Sequence, residues 1–395
     1  MAIAAAITFI ISTSYSMSLY DDLVADVQQR AEMYTKLEQI DTYVRAYYDG
    51  SINEDELIES LANAYISVLG NAEAKYYDES EYTLYKEHLS GTHLGIGIYA
   101  EEGGGYPCIT DVIANSPAAN AGINIGESIV AINGTSVLEL GYDNAYAMLR
   151  AESGTPLTLT LRRDGVDRTV SLSTVQMTVA SVRAETYGDP DTYGIFGYIQ
   201  VYEFSEKTYQ QFMAAYSMLR SSNVSGIIID LRNNAGMIFE PGFNLLNVLL
   251  PEDAIPYVET ELTGQITQAD AADGGQAPQV PMAVLVNSRT SGPAELFAAS
   301  LKDNLGASVV GSSSAGKAQL PEIFGLYDST AISLPVATVS GPTTAFADTG
   351  IKPDYEVVMA ADTAQDLKTL DADTDLCIKK ALEVLYQLAP RADQQ

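Results

Sequence analysis

The chain has 395 residues, and its 52 Asp and Glu against 21 Lys and Arg give a formal net charge of −31. That field repels phosphate backbones and anionic headgroups, which excludes nucleic-acid binding. With 47% apolar and 18% charged residues the chain is a globular one, long enough for two or three units of about 150 residues each. Cys108 and Cys377 lie far apart and share no CxxC spacing, so neither a disulfide framework nor a zinc site is predicted, and no cofactor is called for.

Residues 1–20 carry no charge, and Ala2 to Ile11 is apolar except for Thr8. This predicts a signal peptide or membrane anchor and an extracytoplasmic protein, membrane-anchored or secreted; a buried amino-terminal helix is the alternative. Leu23, Val27, Tyr34, Leu37, Ile40, Val44 and Tyr47 recur at helical spacing. Asn53 with Glu56 resembles a capping box ahead of Leu57, Leu61, Ala64 and Val68, and Gly70 supplies a stop. Residues 21–90 are therefore predicted to be a helical amino-terminal region, packed on the adjoining module through Tyr76, Tyr77, Tyr82 and Tyr85.

From Gly91 to about residue 175, short β-branched runs alternate with Gly, Asn and Pro turns around one helical stretch, Asp143 to Arg150. The order is a glycine-bearing strand Leu94-Gly95-Ile96-Gly97-Ile98, a turn SPAANAG, a strand SIVAING, a helix and a strand LTLTLRR. It resembles a PDZ domain. In that family, backbone N–H groups of the glycine-bearing loop hold a peptide's terminal carboxylate and the peptide adds as a strand. The matching peptide-binding positions are Gly95, Ile96, Gly97 and Ile98.

Residues 176–395 alternate strand and helix: YGIFGYIQVYEF, Glu206 to Ser221, GIIIDLRNN, Gly242 to Leu250, MAVLVN and Pro293 to Asn304. This pattern predicts an α/β core. Ile227 to Leu231 and Val284 to Val286 read as strands covered on both faces. Residues 264–279 read as a flexible surface stretch over the core, and the tail from Asp366 as helical.

The chemistry is narrowed by what is absent. His88 and His93 are the only histidines and precede the α/β core, so a Ser-His-Asp triad there would have to import one of them. No GxxxxGK[ST] loop occurs. Lysine is left as the base, and Lys317, in VVGSSSAGKAQ after an apolar strand, is the candidate. Burial would leave its amine neutral and able to accept a hydroxyl proton.

Together GYIQVYEFSEKTYQQF, GIIIDLRNNAG, VLVNSRTSGPAELFAASLKDN, VVGSSSAGKAQ and TGIKPD resemble the carboxyl-terminal processing, or tail-specific, serine peptidases, over nearly the whole chain. The resemblance implies a multidomain α+β protein: a helical amino-terminal region, a PDZ-like β-rich module and an α/β, ClpP/crotonase-like peptidase core. It also implies a Ser/Lys dyad acting on proteins near their carboxyl termini, recognition of peptide termini by the PDZ module, and a homodimer through the helical termini.

Residue-by-residue transfer breaks at the nucleophile. Anchored on Asn287, Thr290 and Glu295, the family serine position falls on Gly292, followed by Pro293. Lys317 matches the family lysine, but the glutamine that would orient it is Pro321, with Gln319 out of register. The oxyanion-hole motif reads Asp230-Leu231-Arg232-Asn233-Asn234-Ala235-Gly236-Met237, with Met237 in place of a glycine. Two readings remain. One is an active endopeptidase with Lys317 as base, Ser291 as substitute nucleophile and an oxyanion hole at Gly236 and Gly292; Ser314 in a Ser-x-x-Lys spacing is a further candidate. The other is a pseudopeptidase that binds peptides or regulates a partner. Arg232, Asn233 and Asn234 are expected to fix the site loop, and Glu295 to support a helix amino terminus.

Overall fold

A computed structural model describes residues 27–189, 194–236, 238–359 and 373–389. The predicted signal or anchor, Met237 and the start of the predicted tail helix lie outside these residues. Among the described residues, no helix is long and apolar enough to cross a membrane.

The chain divides into two compact units, residues 1–62 and 63–395. In the first, a helix over 27–47 follows the predicted apolar spacing. Arg45 forks between Asp41, one turn back, and Glu54 at the start of the next helix, Glu54–Ser67, and so closes the turn between them. Of the predicted capping box one half forms, with a long contact, Asn53 Oδ1 accepting from Glu56 N–H at 3.4 Å, while Glu56 Oε2 accepts from the Asn53 side-chain amide.

In the second unit, the β-rich module is a sheet of strands Ile98–Gly103, Tyr106–Val112, Ser128–Ile132, Pro156–Arg163 and Val166–Ser173, with helix Tyr142–Leu149 packed on it. Its core is aliphatic: Ile96, Ile98, Ile109, Ile129, Leu159 and Leu161 are buried. Ile98–Gly103 is an edge strand, with Tyr106–Val112 as its paired neighbour.

The α/β core is a six-stranded sheet in the order Val182–Asp189, Gly194–Val201, Gly226–Asp230, Met282–Val286, Ser308–Gly311 and Tyr355–Glu356. The first pair is antiparallel and the rest parallel. Alternate side chains of a strand face opposite ways, and both faces are covered. Ile227, Ile229, Val284 and Val286 pack with the helices Thr208–Ser221, Glu240–Leu249 and Pro293–Leu305. Ile228, Ala283 and Leu285 pack under the carboxyl-terminal helix Leu376–Leu388. That two-sided cover is why these strands read as unbroken apolar runs.

A second sheet is built on the long strand Ala331–Ser340, which pairs with Gln319–Gly325, Lys75–Tyr77 and Val258–Glu261. Two sequence expectations change here. Within the predicted helical region, residues 75–77 are a strand of this sheet. Residues 264–279 are not a free loop: Ile266–Gln268 pairs with Val258–Glu261, Ala272 is buried, and Gln276 O accepts from Tyr216 OH. The sequence hides this pairing because a short hairpin with exposed Leu262 and Ile266 has no apolar face of its own.

Behind the core strands a buried ion triad ties the tail to the sheet. Arg232 donates to Asp230 and, at 3.0 Å, to Asp375, whose carboxylate also caps the carboxyl-terminal helix through Cys377 N–H and Ile378 N–H. All three side chains are buried; without Asp375, Arg232 keeps Asp230 but loses a charge-assisted hydrogen bond, and the helix loses its cap. Asp375→Ala is expected to lower the unfolding free energy by about 3 kcal/mol, the worth of a buried charge-assisted hydrogen bond and a helix cap, read by urea denaturation; an unchanged midpoint would contradict the role given to the triad.

His93, in strand Thr92–Gly95, is also buried. Burial first, then the charges of Arg150 and His88, press its imidazole down to about 4 from an ordinary 6.5. The unfolded chain takes up this proton below about pH 6.5 and the folded chain only near 4, so stability is lost as pH falls through that window. His93→Gln is expected to flatten the pH dependence between those limits, measured as thermal midpoints.

Candidate active site

The turn 287–292 joins strand Met282–Val286 to helix Pro293–Leu305, and residues 231–236 stitch it down. Thr290 Oγ donates to Leu231 O at 2.8 Å, Asn287 Nδ2 to Asn233 Oδ1 at 2.7 Å, and Ser291 N–H to Asn234 O at 3.0 Å. Asn234 in turn donates from its side chain to Val201 O. The role expected of the asparagines, fixing the site loop, is thus carried by Asn233 and Asn234, while Arg232 serves the buried triad.

At the end of this turn Gly292 has φ 56° and ψ −117°. A side chain here is strained by the backbone, as at the sharp strand-to-helix turns that expose a nucleophile. It would not be crowded: an added Cβ meets only Phe239 Cζ at 3.8 Å and Lys317 O at 4.0 Å. Position 292 therefore has the backbone of such a turn and open space around it, and carries no side chain.

The groups around it are committed elsewhere. Ser291 Oγ donates to Ala235 O at 2.5 Å, and the residue is 6% exposed. The N–H groups assigned to an oxyanion hole are both taken, Gly236 N–H by Asn234 Oδ1 and Gly292 N–H by Glu295 Oε2. The residue after a nucleophile at such a turn normally contributes an oxyanion donor; here it is Pro293, which has no N–H. Its ring lies against Gly236, where an added Cβ would sit 2.4 Å from Pro293 Cδ. Sequence reasoning registers Pro293 only as a neighbour of the empty position.

Lys317 is near this turn, though not in the dry crevice expected of it. Its side chain is 58% exposed, and Nζ lies 3.1 Å from Glu73 Oε1. Lys317, Ser291, Gly292 and Gly236 nevertheless border one cavity of about 240 Å³, with Pro321 and Gln319 on the same wall. Glu73 also borders it; no signal in the sequence links it to a residue so distant along the chain.

Glu295 holds the lysine loop to the turn. It is fully buried, and its carboxylate accepts from Ser314 Oγ at 2.5 Å, Gly316 N–H at 2.6 Å, Lys317 N–H at 2.8 Å and Gly292 N–H at 3.0 Å. The expected support of the helix amino terminus is only one of these four contacts. Ser314 also accepts from Ile351 N–H, so the Ser-x-x-Lys spacing forms no helical dyad: its hydroxyl belongs to Glu295. His88 and His93 line a different, small cavity with Tyr99, Arg150 and Glu203, and neither borders that of Lys317.

In the β-rich module the predicted peptide-binding residues are engaged within the fold. Ile96 N–H donates to Leu149 O at 3.2 Å, Gly97 O accepts from Ile113 N–H, and Ile96 and Ile98 are core side chains. Tyr142 OH donates to Ala100 O at 3.4 Å across the groove between the edge strand and helix Tyr142–Leu149.

With this geometry in place, the comparisons are decisive. The model of peptidase family S41 matches residues 195–357, and that of the PDZ domain matches 108–163. Residues 195–357 are thus similar to the family S41 peptidases. The resemblance to carboxyl-terminal processing peptidases stands. The chain is 27% identical to the carboxy-terminal-processing protease of Bartonella bacilliformis, over 80% of this chain and 72% of that one. It is 27% identical to the carboxy-terminal processing protease CtpA of Bacillus subtilis, over 90% and 76%. A photosystem II D1 C-terminal processing protease shares the fold at a TM-score of 0.50 and 21% identity, covering 89% of this chain and 90% of that chain. An S41 protease from Bacteroides fragilis does so at 0.52 and 18%, covering 83% and 90%.

The S41-like region therefore has its turn shaped and its lysine loop docked. Because both depend on Glu295, Glu295→Gln is expected to speed amide hydrogen exchange at Gly316 and Lys317 by roughly 10- to 100-fold, the loss of about 1–3 kcal/mol of buried hydrogen bonding. Unchanged exchange at both would show that the loop holds itself.

Proposed function

We propose that this protein binds peptide carboxyl termini outside the cytoplasm and does not hydrolyse them through a Ser/Lys dyad. The observation that carries the reading is the turn itself. At the nucleophile position stands a glycine, the adjacent serine hydroxyl is turned onto Ala235 O, and the next residue is a proline that cannot donate to an oxyanion. Preorganised donors at the developing charge supply a large share of acyl-transfer catalysis, and the Lys317 amine lies at an open rim, bonded to Glu73 and not to a hydroxyl.

Binding falls to the PDZ module. Its edge strand Ile98–Gly103 has a free side for an added peptide strand, with Gly95 to Gly97 at the carboxylate end. An incoming terminus would replace Leu149 O at Ile96 N–H and Tyr142 OH at Ala100 O. The uncharged segment 1–20 supports export and a membrane tether; a homodimer is supported by the family resemblance.

The competing reading, an active endopeptidase with Ser291 as nucleophile, is favoured by Ser291 and Lys317 bordering one cavity. Incubation with β-casein separates the two. Wild type, Ser291→Ala and Lys317→Ala are expected to leave it equally uncut by mass spectrometry. Cleavage by wild type that both variants lose would end the non-hydrolytic reading. Gly292→Ser is expected to label weakly with a fluorophosphonate, and adding Pro293→Ala to raise labelling roughly 100-fold by returning one oxyanion donor.

A further inference from the structure

We infer that the cavity beside Gly292 is a second receptor for a free peptide carboxylate, with Lys317 as its cation and Glu73 as the internal carboxylate that the ligand displaces. The inference rests on the non-hydrolytic reading and assigns the vacated site a ligand. In a chain with a net charge of −31, two of its 21 cations, Lys75 and Lys317, border this one cavity. Lys75 is occupied by Glu81 outside the cavity, at 2.9 Å, whereas Glu73 lies within it. Removing Glu73 from the ion pair leaves a cavity of net positive charge, complementary to one carboxylate.

The walls suit a peptide end with an apolar side chain. Tyr77, Tyr85, Phe239 and Ile323 border the same space, and the Tyr77 and Tyr85 rings pack together at 5.6 Å. The backbone donors that would hold a tetrahedral oxyanion are bonded or, at Pro293, missing, so the site favours a planar, stable anion held by an exposed cation. Exchange of one carboxylate for another at Lys317 keeps the charge balanced, and Glu73, 29% exposed at its side chain, has solvent into which to swing.

The test uses the full chain and an acetylated pentapeptide, Ala-Val-Bpa-Leu-Ala, in which Bpa is the photoreactive benzoylphenylalanine, with either a free carboxylate or a carboxamide end. Crosslinks are mapped by mass spectrometry as a function of peptide concentration. The free acid is expected to crosslink to residues 235–239 and 317–323 as well as to the PDZ groove, and the carboxamide to lose the cavity crosslinks. Glu73→Gln is expected to lower the half-saturation of the cavity crosslinks about 2- to 5-fold, the worth of an exposed ion pair. Lys317→Met should abolish these crosslinks while those in the PDZ groove persist, and Lys317→Arg should retain them. Cavity crosslinks indifferent to the carboxamide, to Glu73→Gln or to Lys317→Met would overturn the inference, as would their absence in wild type. Cleaved peptide in the same spectra would overturn instead the non-hydrolytic reading on which it rests.

Discussion

The geometry of the site depends on one buried carboxylate. Glu295 sits in the first turn of its helix with no exposure and takes donors from the turn at Gly292 and from three residues of the lysine loop. A carboxylate in such a place is tolerable only when its lone pairs are filled. Filling them fixes two segments, more than 20 residues apart along the chain, against each other. The placement of Lys317 beside Gly292 follows from this contact more than from anything the lysine side chain does.

That arrangement makes the turn a self-supporting frame. The frame is made of main-chain bonds and the side chains of Thr290 and the asparagines, from Leu231 to Gly236 and from Asn287 to Gly292, and it needs no side chain at 292 to be stable. A glycine at a left-handed φ relieves the strain that a serine would bear there. The proline next to it fits the first turn of a helix, where its missing N–H has no intrahelical partner. Glycine and proline both suit the backbone here, so the turn keeps its shape with no side chain at position 292.

The PDZ groove shows a related economy of contacts. Its loop N–H at Ile96 and edge carbonyl at Ala100 are satisfied internally by Leu149 and Tyr142, which leaves neither group orphaned in the empty groove. A ligand gains only the difference between its own hydrogen bonds and those it displaces. Peptide affinity should therefore come mainly from side-chain burial and the terminal charge.

The sequence by itself determined the fold class and the kinship, because the apolar runs at 227–231 and 284–286, the turn-rich module after Gly91 and the motif around Asn287 are local patterns with local causes. It also singled out Gly292, since spacing within one motif survives without coordinates. What only the tertiary structure decided were the long-range partners: Glu73 on Lys317, Asp375 on Arg232, Ser314 on Glu295 and the ring of Pro293 against Gly236. The apolar strand before Lys317 predicts burial of its amine, yet exposure is set by which segments close over a loop. Here the chain from residue 72 to 77 brings a carboxylate and an open rim instead of an apolar lid. Contacts between segments this distant follow from how the two sheets pack, and no periodicity in the sequence records that.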